Sequence, residues 1–91
     1  ADRSEPEVTY RGSLEYPQSA MEESVEGTVV LRVLVGTKGE IKKLEVEKSS
    51  SDKRLDAAAS DWVEDWVFLP AVQNGRPREV WTRATVNFRL K

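Results

Sequence analysis

The sequence predicts an α+β fold: a three-stranded antiparallel sheet with one long helix packed on one face and a short N-terminal helix. Three observations carry this prediction. A β-branched run at residues 28–35 is followed, across a turn with two glycines, by a second run at Ile41–Lys48. Leu55, Ala58, Ala59, Trp62, Val63 and Trp66 recur at spacings of three and four, which places them on one face of a helix. Residues 78–90 alternate with period two, as a half-buried strand does.

Taken in order, residues 1–15 read as a flexible or extended arm with scattered charge, able to add a short strand around residues 8–10. Pro17 suits a first helical position, residues 18–24 form a short helical turn, and Gly27 stops it. In the strand that follows, Val29, Leu31, Val33 and Val35 make an apolar face. Thr28, Val30, Arg32 and Leu34 make a mixed one. Gly36 and Gly39 can take the turn conformations that close a hairpin. Ile41, Leu44 and Val46 then break strict alternation once, which predicts a bulge at Lys42 or Lys43.

Ser49, Ser50, Ser51 and Asp52 offer an N-cap to the long helix, which must end before Pro70. Asn74-Gly75 and Pro77 mark a turn. In the last strand Val80, Thr82, Ala84, Val86, Phe88 and Leu90 share one parity, and Trp81, Arg83, Thr85, Asn87 and Arg89 share the other.

Composition narrows function. The 91 residues suffice for one domain and leave little apolar material for a deep pocket. Fourteen Lys and Arg against sixteen Asp and Glu give a net charge of -2, with no basic stripe, so no nucleic-acid partner is expected. Cysteine and histidine are both absent. That removes thiolate chemistry, the commonest metal ligands and the commonest general base, so neither an enzyme nor a metal or cofactor is expected. An enzyme would need a carboxylate or lysine mechanism, and no such constellation appears. Asp61, Glu64 and Asp65 read as a solvated face rather than a cation site.

Several motifs stand in a recognisable order: Tyr16-Pro17, Glu26-Gly27-Thr28-Val29, Gly39, Ser49-Ser50 and Leu55-Asp56 with Ala58-Ala59. Trp66-Val67-Phe68-Leu69-Pro70-Ala71, Gly75-Arg76-Pro77 and Val86-Asn87-Phe88-Arg89-Leu90 follow. As a set, over residues 16–90, they resemble the TonB C-terminal domain family.

The resemblance implies residues 16–91 as a periplasmic docking domain of an energy transducer. Its partner is a TonB-dependent outer-membrane transporter, whose short TonB box adds as a strand. By the same resemblance, inner-membrane proton-driven motor proteins act through an N-terminal region outside this sequence, which holds the membrane helix. Carried over, the partner-binding residues are Arg83, Ala84, Thr85, Val86, Asn87, Phe88 and Arg89. Some members have a Gln-rich segment before Tyr-Pro that also touches the transporter. Here Ser13-Leu14-Glu15 stands instead, a charge pattern suited to a different partner or a more distant paralogue.

Other readings stay open on the residues themselves. A family-like adaptor domain of a cell-envelope complex, without energy coupling, fits the same residues. The last strand can also pair with its copy in a homodimer. Trp81 either caps the sheet's far face or forms an exposed contact. Arg83 and Arg89 either steer an acidic partner or guard an edge.

Overall fold

The computed structural model describes residues 3–90; Ala1 and Asp2 of the arm, and Lys91 at the end of the domain, lie outside the described residues. Its centre is a three-stranded antiparallel sheet of β3 (Gly27–Val35), β4 (Ile41–Lys48) and β8 (Val80–Phe88), in the order β4-β3-β8. The central strand buries Val29, Leu31, Val33 and Val35 completely. Helix α2 (Lys53–Glu64) lies across that face and seats Leu55, Ala59 and Val63 on it. Ala84, Val86 and Phe88 from β8 complete the layer, so one sheet face and one helix stripe make the core.

The two ladders of β3 differ in regularity. Between β3 and β4 the register shifts twice, leaving Lys42 and Glu47 without partners of their own. The first bulge is the one expected from the broken alternation of Ile41, Leu44 and Val46. The second, at Glu47, had no such signal, because Val46 is itself largely exposed. Between β3 and β8 nine consecutive pairs run from Gly27↔Phe88 to Val35↔Val80 without a shift.

Helix α1 (Gln18–Glu22) follows Pro17, which takes the N-cap position with an extended ψ rather than the first helical one. The helix closes earlier than Gly27. Ser24 adopts positive φ, and the Val25 amide reaches back to the Ala20 carbonyl at 2.8 Å. Gly27 is thereby free to begin β3.

Three short ladders complete the fold. The helical stripe read through Trp66 stops at Glu64, and Val67–Leu69 becomes β5 with Phe68 inward and Val67 and Leu69 outward. Strand β2 (Glu7–Tyr10) pairs antiparallel with β5, through a shift at Thr9. The turn at Asn74-Gly75 joins β6 (Ala71–Gln73) to β7 (Arg76–Arg78) as a tight hairpin. Asn74 and Gly75 both have positive φ there, as a hairpin of this twist requires. β1 (Arg3–Ser4) pairs with the outer side of β6. The arm is therefore laid antiparallel along residues 67–73. Trp66 packs edge-on against Trp62, with ring centroids 5.0 Å apart, and the Arg11 guanidinium lies 5.0 Å over the Trp66 ring.

A charged clamp joins the two helices. Asp52 caps α2 by accepting from the Arg54 amide at 2.8 Å, and it also accepts from the Arg54 guanidinium. The same guanidinium forks onto Glu23, just past α1, at 3.0 and 3.2 Å. The Arg54 side chain, by its hydrogen bonds, holds the Asp52 carboxyl down at about 2, against an ordinary 3.8. It lowers Glu23 in the same way. Asp56 is also lowered: burial opposes its charge, and hydrogen bonds from Ser49 and Ser50 more than offset that.

Two outcomes follow from this architecture. At the β3–β4 turn Gly39 is buried with φ +83°, and a Cβ there would run into the Phe68 carbonyl oxygen of β5. Gly39→Ala should therefore cost about 2 kcal/mol or more, from left-handed strain plus a backbone collision, read as a lower urea midpoint. The clamp gives a pH signature. A carboxylate whose folded pKa is depressed contributes stability above its unfolded pKa and loses it as pH falls through the folded value. Urea stability should thus decline from about pH 4 towards pH 2. The gap between the wild-type chain and Asp52→Ala should be full at neutral pH and close at about pH 2; a gap unchanged down to pH 2 would refute the clamp.

Candidate functional site

Strand β8 is hydrogen-bonded to β3 along one edge only; among the described residues no strand pairs with its other edge. Six of the seven sequence-predicted partner-binding residues lie on this strand, and Arg89 follows immediately after it. Their side chains divide by parity. Ala84, Val86 and Phe88 are buried under α2, so they offer a partner only their backbone. Arg83, Thr85 and Asn87 are exposed on the open face of the sheet.

The C-terminal end of β8 is tied down. Asn87 Oδ1 accepts from the Thr28 hydroxyl at 2.8 Å. Arg89 turns back over the start of β3, donating to the carbonyls of Gly27 at 3.2 Å and Phe88 at 2.9 Å and to the Thr28 hydroxyl at 3.2 Å. The Leu90 amide donates to Glu26 Oε2 at 2.6 Å. Tyr16 sets its ring edge-on against Phe88, with centroids 5.3 Å apart, and its hydroxyl donates to the Val25 carbonyl. Burial first, and Glu26 second, raise the Tyr16 pKa, so this hydroxyl stays a donor through the physiological range. Tyr16 thus fastens the exit of the arm to the last residue of β8.

The N-terminal half of β8 is less constrained and carries its own cluster. Trp81 is 38% exposed, with the Arg32 guanidinium 4.4 Å over its ring. The two alternatives for Trp81 therefore merge: it lies on the far face against Arg32 and is still accessible there. Arg83 stands opposite Arg32 in the ladder, and Glu47 binds both, at 3.1 and 3.9 Å. Arg32 and Glu47 escaped the sequence reading because their convergence depends on two long-range pairings and on a bulge that local alternation does not reveal.

A concavity of about 1070 Å³ lies between the arm and α2, walled by Tyr10, Arg11, Tyr16, Arg54, Trp62 and Asp65. It does not reach β8. Among the described residues no three His, Cys, Asp or Glu side chains converge as metal ligands. No helix among them is long and apolar enough to cross a membrane.

This geometry has close counterparts. Over 97% of the chain, and 89% of the other, the fold superposes on a solution NMR structure of the Pseudomonas aeruginosa TonB CTD with a TM-score of 0.78. At 20% identity that likeness speaks for the fold alone. Protein tonB2 of Pseudomonas aeruginosa is 40% identical over 76 residues, and the alignment covers 84% of this chain and 28% of that protein. Protein TonB of Xanthomonas campestris pv. campestris is 39% identical over 75 residues, covering 82% of this chain and 34% of that protein. The chain thus spans about a third or less of these relatives. The model of the family described as Gram-negative bacterial TonB protein C-terminal matches residues 12–90, from the end of the arm through β8, and the chain belongs to that family.

Proposed function

We propose that residues 16–91 are the periplasmic docking domain of a TonB-type energy transducer, with residues 1–15 as an arm on it. The domain takes up the TonB box of an outer-membrane transporter as an added strand on β8, along Arg83, Ala84, Thr85, Val86, Asn87, Phe88 and Arg89. Motor proteins of the inner membrane act through a membrane-anchored region of the longer protein, and the proton-motive force reaches the transporter as pull on the bound strand. The length of the relatives, of which this chain covers 28% and 34%, leaves room for such a region.

The observation that carries this reading is the contrast between the two edges of the sheet. The β4 edge is bulged twice and carries Lys42, Lys43, Glu45, Glu47 and Lys48, devices that discourage another strand from pairing. The β8 edge is nine residues long, unbulged against β3, free of proline, and charged only at Arg83. It supplies a straight row of backbone donors and acceptors, which is what β-augmentation needs. The edge suits a second copy of the chain for the same reason, so a homodimer competes with the transporter.

A synthetic TonB-box peptide should shift the backbone amides of β8 in an NMR titration while leaving those of β4 in place. Hydrogen exchange of the outward β8 amides should slow at least about tenfold at saturation. Shifts confined to the groove between arm and α2, with β8 unmoved, would overturn strand addition.

A further inference from the structure

The face of the sheet opposite α2 is uncovered among the described residues, and its charges are unevenly placed. On its β4 side Arg32 meets Glu45 at 3.6 Å and Glu47 at 3.9 Å. On its β8 side stand Trp81, Arg83, Thr85 and Asn87, with no acidic residue. Glu79, just before β8, is engaged by Lys42 at 3.2 Å. The Arg83 side chain is 71% exposed, and among the described residues the one carboxylate it meets is Glu47, reached back across β3 and shared with Arg32. A depression of about 420 Å³ lies here, lined by Arg32, Glu47, Trp81, Thr82 and Arg83.

A strand added to β8 would set every second residue on this open face, within cross-strand reach of Trp81 and Arg83. A cationic side chain there meets Arg83 with Arg32 behind it. A carboxylate relieves an unfavourable Arg32–Arg83 pairing that one glutamate now bridges, and it can take the Arg83 fork. We infer that Trp81 and Arg83 form a selectivity subsite for the docking strand, taking a segment whose outward-facing residue level with Arg83 is aspartate or glutamate. This rests on the strand-addition reading and adds to it a side-chain rule for the N-terminal half of β8. The C-terminal half takes no part in that rule, because Arg89 and Asn87 are already engaged with β3.

The test uses acetylated, amidated host peptides of alternating threonine and valine, in which one central threonine is replaced by Glu, Gln or Lys. Affinities are measured by NMR titration of the whole chain at low salt. The Glu peptide should bind about fivefold more tightly than the Lys peptide, the size expected of an exposed pair set against a like-charge contact, and 0.5 M salt should shrink the difference. Arg83→Gln should erase the preference, and Arg83→Glu should reverse it. Two variants are used because Arg83→Glu places two glutamates together with Glu47 and can loosen the sheet, whereas Arg83→Gln does not. Equal affinities for all three guests, or the same order in wild type and Arg83→Gln, would overturn the subsite while β8 amide shifts still upheld strand addition. If no peptide moves the β8 amides, strand addition falls and the subsite falls with it.

Discussion

Every other feature of this domain depends on β3 being paired on both sides and covered on one face. Its four inward residues, Val29, Leu31, Val33 and Val35, are wholly buried, and α2 is positioned by contact with them. A strand held this way is a rigid ruler for its neighbours. The neighbours are held to different standards. β4 departs from register twice, whereas β8 follows β3 through nine pairs. Bulges bend a strand and increase its twist, so β4 offers a poor template, and an unbulged β8 a good one. The asymmetry lies in the pairing itself, before any side chain is considered.

The rest of the chain can be understood as the disposal of other edges. β5 and β6 would each expose backbone groups, and the chain covers them with its own arm: β2 lies on β5 and β1 on β6, while β7 closes the other side of β6. The arm is kept there by modest means. Its ladders are two and three pairs long, helped by the Arg11–Trp66 contact and by Tyr16 on Phe88. Short ladders of this kind open at a lower free-energy cost than the central sheet, whose pairs sit over the core. In the proposed role, load on the arm would therefore meet its weakest pairing along residues 67–73 first, and the β3–β8 ladder last.

Much of this was legible in the sequence because it is local. The hairpin of β3 and β4, the stripe of α2 and the parity of β8 follow from periods of two and 3.6 that need no knowledge of the partner. The cap at Asp52 and the bulge at Lys42 were legible for the same reason. What escaped is pairing between distant segments. A short strand is expected around residues 8–10, where β2 lies, but β1 has only two residues, and the partners of both lie about sixty to seventy residues away, beyond any local signal. Val67-Phe68-Leu69 alternates, but it follows a helical stripe whose spacing runs on to Trp66, so the change of period was hidden. The proposed docking residues rest on resemblance. Only the structure separates those whose side chain is buried, such as Val86, from those whose side chain is exposed, such as Arg83.

That separation bears on what a strand taken up in the proposed docking role would meet. Backbone pairing along β8 is indifferent to sequence, since every non-proline segment brings the same donors and acceptors. Ala84, Val86 and Phe88 cannot discriminate, because they are spent on the core. Arg89 and Asn87 are committed to β3, and Thr85 is small and neutral. On the proposed reading, discrimination by side chain falls to the stretch of β8 where an indole and a cation stand exposed together on the open face, Trp81 and Arg83. In the proposed docking role, a general backbone grip along β8 is combined with a local side-chain preference that can be retuned at Trp81 and Arg83 without touching the core.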